Sequence, residues 1–204
     1  MILHDFPLSS ACFRVRIVLN LKGLAYEKRN HALRQGEQRA PDFLSINPAG
    51  LVPALETEGM VLGQSLAIID YLDSVCPTPR MIPTDPIERA RAMEMALTIA
   101  CDIHPLNNLR VLQYLENDMG HDKPAVAAWY SHWIEQGFAT LNTLLPDTPF
   151  AGGEAPNIVD ACLVPQVYNA RRFKVDLAPF SRVTEIADRA AVLPAFKSAA
   201  PPPM

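Results

Sequence analysis

Through residues 1–75 the apolar positions change period several times, and each change marks an element. Met1–Phe6 reads as a short strand that Pro7 punctuates, and the helical spacing of Phe13, Ile17 and Leu21 follows until Gly23 closes it. Tyr26–His31 is strand-like again, and Pro41–Ile46 has room for one or two helical turns. Val52–Glu56 and Met60–Leu62 flank Thr57-Glu58-Gly59 as the arms of a hairpin. Ser65 then opens a helix whose apolar residues Leu66, Ile68, Ile69 and Leu72 run to Val75 before Pro77. The order is βαβ followed by αββα. A βαβ unit gives a parallel strand pair, and the hairpin adds antiparallel strands to the same sheet.

That order predicts an N-terminal thioredoxin-like α/β domain over residues 1–78. The proline-rich run Pro77–Pro86 supports neither a helix interior nor a central strand, so residues 79–86 are expected to be a linker. Beyond it Pro86–Asn117, Lys123–Leu145, Asn157–Phe173 and Ser181–Val192 all carry helical period, which predicts an all-helical domain over 87–204. Asn157 with Asp160 three residues on forms a capping-box signature, and Pro165 inside the same helix should bend it or remove one hydrogen bond. A second proline-rich stretch, Pro201–Pro203, lies near the C-terminus.

Composition narrows the partners. The 204 residues are 49% hydrophobic and 20% charged with a formal net charge of -4, a folded, soluble profile without the basic face that nucleic acid or an anionic membrane selects. A small-molecule partner is favoured. Cys12, Cys76, Cys101 and Cys162 are widely spaced, with neither a C-x-x-C pair nor a zinc-ligand cluster, so no disulfide framework and no metal are expected. No basic, apolar leader and no long apolar window is present, and the expected compartment is the cytoplasm.

Three stretches carry candidate chemistry. In Ser9-Ser10-Ala11-Cys12-Phe13-Arg14-Val15-Arg16, either serine can cap the helix. Cys12 sits where the helix end lowers a thiol pKa, so it is either a nucleophile or a bystander without a base or resolving thiol. Two residues turn a helix by about 200°, so only one arginine can share the Ser10 face. Arg14 does, while Arg16 is left to a salt bridge or solvent. In Leu51-Val52-Pro53-Ala54-Leu55, a cis Val52-Pro53 bond would turn the Val52 backbone N–H and C=O outward to pair with a peptide-like ligand; the alternative is a plain strand-initiating proline. In Gly63-Gln64-Ser65-Leu66, Ser65 caps, the N–H groups behind it suit a carboxylate, and Gln64 adds an amide. Two helix N-termini and one strand edge can thus converge on a single acidic peptide.

These residues resemble the zeta class of the glutathione transferase superfamily, which includes maleylacetoacetate isomerase and is related to maleylpyruvate isomerase. The resemblance covers nearly the whole chain. It runs through Ser9-Ser10-Ala11-Cys12-Phe13-Arg14-Val15-Arg16-Ile17, where the family's signature cysteine falls on Ala11. Further matches are Asn47-Pro48 with Val52-Pro53, and Gln64 to Leu72, with Asp70 where the family usually has glutamate. Ala100–Leu112 and Asp160–Phe173 continue it in the helical domain.

The resemblance implies glutathione as cofactor: its γ-glutamyl carboxylate at Gln64 and Ser65, its cysteinyl backbone on Val52 and Pro53, and its sulfur near Ser9 and Ser10. By family position Gln38, His104, Asn108 and Arg110 would also touch glutathione or substrate. The implied reaction is cis–trans isomerisation of a small dicarboxylate, with Ser9, Ser10 and Arg14 as catalytic candidates. Arg14, Arg110, Arg171 and Arg172 are candidates to hold the carboxylates, with His104 as a hydrogen-bond donor. For Arg171 and Arg172 the competing role is a solvated helix end, and for His104 a structural hydrogen bond. Maleylacetoacetate is the leading substrate and maleylpyruvate the nearest alternative. A conjugating or α-halo-acid-dehalogenating transferase and a non-catalytic dimerisation module are the others. The family usually forms homodimers.

Overall fold

The computed structural model describes residues 1–202; Pro203, within the proline-rich tail, and Met204, the expected end of the helical domain, lie outside the described residues. The chain divides into two compact units, one formed by Met1–Ile82 with the segment from Val192 onward, the other by Pro83–Ala191.

The first unit holds β1 (Ile2–Asp5), α1 (Ser10–Leu21), β2 (Glu27–Asn30), α2 (Pro41–Ile46), β3 (Ala54–Thr57), β4 (Met60–Gly63) and α3 (Ser65–Val75), with short 3-10 turns at Leu33–Gln35 and Glu37–Arg39. The sheet order is β2-β1-β3-β4. β1 and β2 are parallel with Ile2 opposite Glu27, whereas β3 runs antiparallel to both β1 and β4. This is the expected thioredoxin-like arrangement. All of β2 is exposed and reads Glu-Lys-Arg-Asn, a charged edge that discourages further strand pairing. The hairpin turn places both Glu58 (φ 48°) and Gly59 (φ 78°) in the left-handed region, as a two-residue primed turn requires.

The apolar stripe of α1 understated its burial. Ser10 through Leu19 are all buried, because α3 packs on one side and a C-terminal helix, α9 (Pro194–Ala199), on another. That last helix joins the first unit, although the sequence grouped it with the helical domain. Arg16 explains why: its guanidinium, buried against Asp5, donates to the carbonyls of Ala199 at 2.8 Å and Pro7 at 3.0 Å. Of the two environments open to Arg16 from sequence, the structure selects the salt bridge. Asn20 adds a donor to Ala195 O at 3.0 Å.

The second unit contains α4 (Pro86–Leu97), α5 (Leu109–Gln113), α6 (Lys123–Leu144), α7 (Ile158–Arg172) and α8 (Ser181–Ala191). The single helix expected over Pro86–Asn117 is interrupted. It widens into π-type turns at Thr98–Ile103 and Tyr114–Asp118. Between these, Pro105 supplies no N–H, and Asn108 starts a new helix by accepting the N–H of Arg110 at 3.2 Å. α7 continues through Pro165. Its capping box forms as expected: Asn157 accepts from Val159 N, while buried Asp160 receives the N–H groups of Asn157, Ala151 and Gly152 at 2.8, 3.0 and 3.2 Å. A Cβ on Gly152 would stand 2.4 Å from the Ala155 carbonyl, so that turn closes tightly around the carboxylate.

The chain leaving the first unit is held by one buried ion pair. Lys22 Nζ donates to Asp73 Oδ1 at 2.9 Å and to the carbonyls of Cys76 and Pro79 at 2.6 and 2.8 Å, and Asp73 accepts the N–H groups of Met81 and Ile82. Burial alone would raise the Asp73 pKa, but the Lys22 ammonium and the two N–H donors hold the carboxyl below its ordinary range. Its stabilising effect is therefore fully present above the unfolded pKa of about 4 and lost as pH falls through the lower folded value. Asp73→Asn is expected to cost about 3 kcal/mol at pH 7 in urea unfolding, and the gap from wild type to narrow toward pH 3. An equal gap at both pH values would contradict this.

Candidate functional site

The first unit brings two helix starts together at its sheet. At α1, Ser9 is the N-cap: its hydroxyl accepts from Cys12 N at 3.3 Å. Ser10 is the first helical residue and buried. The two serines thus have separate roles, the cap belonging to Ser9. The α1 N-terminus adds the partial positive charge of its dipole beside the Ser10 hydroxyl.

Cys12 does not behave as the helix dipole alone would suggest. It is fully buried among apolar side chains, and burial, with Asp5 nearby, pushes its thiol far above the ordinary range despite the hydrogen bond from Ser9 and the charge of Arg16. Desolvation outweighs the dipole, which favours the bystander role for Cys12 over the nucleophile.

Arg14, one turn below Ser10, is 1% exposed, and its Nη1 donates to Ser65 Oγ at 3.3 Å. The face assignment from sequence holds, but the arginine lies within the interior and meets the first residue of α3. Ser65 is itself not the cap. The N-cap position belongs to Gln64, whose backbone stands at φ 63°, ψ 116° and whose side chain makes no capping bond. A non-glycine residue at positive φ is a strained arrangement of the kind that gathers at ligand clamps. It leaves the first N–H groups of an eleven-residue helix without a side-chain cap, next to the buried Ser65 hydroxyl and the exposed Gln64 amide. Together these donors suit a carboxylate.

Val52 lies before the start of the β3 ladder, which begins with Ala54 opposite Gly63, so its backbone is not used in strand pairing. The Val52-Pro53 bond is cis. Gln38 sits in the Glu37–Arg39 turn, and its Oε1 is buried with no hydrogen-bond partner among the described residues.

The second unit disposes its candidates differently. His104 closes the Thr98–Ile103 turn, its N–H donating to Ile99 O at 2.9 Å, and Asn108 caps α5. Arg110, in the first turn of α5, is exposed. Arg171 is paired bidentately with Asp188 at 2.6 and 2.9 Å, with both side chains about half exposed, which makes it a surface ion pair. Arg172 lies over the Phe173 ring at 5.2 Å, and that ring stacks on buried Tyr130. The two competing roles for these arginines thus divide toward structure. What sequence reasoning missed was the Arg14–Ser65 link, for which the shared face of Ser10 and Arg14 was the available signal.

Residues 3–80 match the family model for the glutathione S-transferase N-terminal domain. The chain is 44% identical to the maleylacetoacetate isomerase of Pseudomonas aeruginosa, over 98% of this chain and 96% of that protein. A holo maleylpyruvate isomerase, a bacterial zeta-class glutathione S-transferase, superposes with a TM-score of 0.96 at 42% identity, covering 98% of this chain and 97% of that one. The maleylacetoacetate isomerase of Methylobacterium extorquens with bound malonate and GSH gives a TM-score of 0.95 at 37% identity, covering 98% and 96%. The chain therefore belongs to the glutathione S-transferase family. Its full-length likeness is to the zeta class and its maleylacetoacetate and maleylpyruvate isomerases.

The thiol assignment has a direct readout. A disulfide reagent added to the native protein at pH 8 is expected to modify exposed Cys101 and to leave Cys12 and Cys162 unreacted until denaturant is added. Rapid native labelling of Cys12, mapped by peptide mass, would restore it as a candidate nucleophile.

Proposed function

We propose that the protein is a glutathione-dependent cis–trans isomerase that converts maleylacetoacetate to fumarylacetoacetate in tyrosine and phenylalanine breakdown, working as a cytoplasmic homodimer. The observation that carries this reading is the pair of adjoining helix N-termini, α1 with Ser10 and α3 with Ser65, on a chain alike over almost its whole length to isomerases of this kind. No helix among the described residues is long and apolar enough to cross a membrane.

The residues present fit glutathione. Its γ-glutamyl carboxylate would meet the uncapped N–H groups of α3, the Ser65 hydroxyl and the Gln64 amide. Its α-ammonium and amide groups are donors, the chemistry that the buried Gln38 Oε1 lacks a partner for. Its peptide backbone would lie along Val52, and its sulfur at the α1 N-terminus beside Ser10.

When bound, glutathione supplies a thiolate able to add reversibly to a conjugated double bond, after which rotation is possible. The chain's own part is electrostatic. Ser10 offers a hydroxyl donor to an anionic sulfur, the α1 N-terminus adds its dipole, and the guanidinium of Arg14 contributes a nearby fixed positive charge. Ser9, in capping α1, keeps that N-terminus ordered. Arg110 is the candidate arginine for a substrate carboxylate, being exposed where Arg171 is held in an ion pair with Asp188. His104 and Asn108 precede it in sequence and remain candidates for glutathione or substrate.

Maleylpyruvate stands as a second substrate because the TM-score of 0.96 belongs to an isomerase named for it. Both compounds are dicarboxylates, so the same arginine serves either. Turnover of each compound with and without glutathione separates the readings. Maleylacetoacetate is expected to give the higher kcat/KM, with both rates dependent on glutathione. Ser10→Ala is expected to lower kcat/KM at least about tenfold, or ~1.4 kcal/mol of barrier, while Ser9 still caps α1. Turnover that proceeds equally without glutathione would overturn the mechanism, and preference for maleylpyruvate would exchange the substrates.

A further inference from the structure

The site account leaves one buried polar cluster unused, on the sheet of the first unit. His4 of β1 is 1% exposed and lies between two partners: its Nε2 is 2.6 Å from Glu56 Oε1 on β3, and its Nδ1 is 2.8 Å from His31 Nε2 just after β2. A carboxylate accepts and does not donate, so in the neutral ring Nε2 of His4 carries the proton and its Nδ1 accepts. With His4 neutral, the second bond comes from the Nε2–H of His31. Burial is the main cause that lowers the His31 pKa, which favours its neutral ring. Glu56 is steadied by Arg29 at 3.5 Å.

The cluster closes a loop. His31 and Phe43 bracket residues 32–42, and their rings meet edge to face at 4.6 Å. Both also meet His4, His31 stacked at 5.1 Å and Phe43 edge-on at 5.7 Å. Both ends of the loop are thus fastened to one buried ring on β1. Inside the loop, Glu37 accepts the N–H of Ala32 at 2.6 Å, and the Gln38 carbonyl crosses so near Gly50 (φ 61°) that a Cβ there would lie 3.1 Å from it. The residue in the middle is Gln38, with its buried, unpartnered Oε1.

We propose that His4 and His31 are positioning residues: the Glu56–His4–His31 chain, with the Phe43 edge, fixes the loop 32–42 on the sheet and so holds Gln38 for a ligand bearing N–H donors, glutathione. The ligand named rests on the isomerase reading; the fastening of the loop does not. Without the His31 ring N–H, His4 Nδ1 becomes a buried acceptor with no donor, and the loop keeps at its origin only the backbone bond from His31 N to Asp5 O. The chemistry at Ser10 is untouched, so the effect falls on glutathione affinity and spares the chemical step.

The test compares His31→Ala, His31→Phe and His31→Gln. Phenylalanine keeps a ring against His4 and Phe43 without the donor, and glutamine restores an N–H donor. Hydrogen exchange of the unliganded proteins is expected to show faster exchange at residues 32–42, with α1 unchanged, in the alanine and phenylalanine variants. Those variants should also raise the glutathione KM about tenfold, the size of one lost ordered hydrogen bond, with kcat within about twofold. Glutamine should return both readouts toward wild type, and nitrogen-15 shifts should report His4 protonated at Nε2. Unchanged loop exchange, a loosened loop with unchanged KM, or a fall in kcat alone would each overturn the proposal. Wild-type turnover independent of glutathione would overturn the isomerase reading and the ligand named here together; the exchange arm, run without ligand, keeps that failure distinct from failure of the loop fastening.

Discussion

A single buried guanidinium joins the two helix starts on which the site depends. Arg14 rises from α1 one turn below Ser10 and reaches Ser65 at the first turn of α3. A charge taken so completely out of water is costly, and the Ser65 hydroxyl is one of the groups that meet it. Two helix dipoles, one buried cation and two serine hydroxyls then favour negative charge at one place. In the reading proposed above, one helix start would serve the carboxylate of glutathione and the other its thiolate, since each needs N–H or O–H donors and a positive field.

Around this core the first unit is braced by a second set of buried charges, each paired within the fold. Arg16 binds the C-terminal helix to Pro7 and Asp5, and Lys22 with Asp73 secures the turn from α3 to Ile82. These pairs are neutralised and fully hydrogen-bonded, which is the condition under which a buried ion pair can be kept. Arg14 and Arg16 differ in role because they lie two residues apart on one helix and so face different neighbours.

Much of this was legible in the sequence. Strand and helix periods with proline and glycine punctuation were enough for the sheet and its hairpin, and Asn157 with Asp160 announced the start of α7. Three features were hidden because they depend on what packs from afar. The burial of α1 on every side follows from α9, whose short Pro194–Ala199 segment has too little length to show a period. The raised pKa of the Cys12 thiol follows from desolvation, which local position does not reveal. The fate of Arg171 was decided by Asp188, seventeen residues away on another helix. Ser10 and Gln64 lie at the helix starts that the sequence placed there, because a helix end is a local property. Ser65 shifted by one position, from cap to first helical residue, because Gln64 adopts the positive φ.

The central claim is that the protein activates a sulfur it does not itself carry. Its most direct measurement is the ultraviolet absorbance of the thiolate of bound glutathione, titrated against pH in wild type and in Ser10→Ala. The expected result is a bound-thiol pKa well below the free-thiol value of about 8.5 in wild type, moving back toward it in the variant. A bound thiol that titrates in wild type as it does free in solution would contradict the claim.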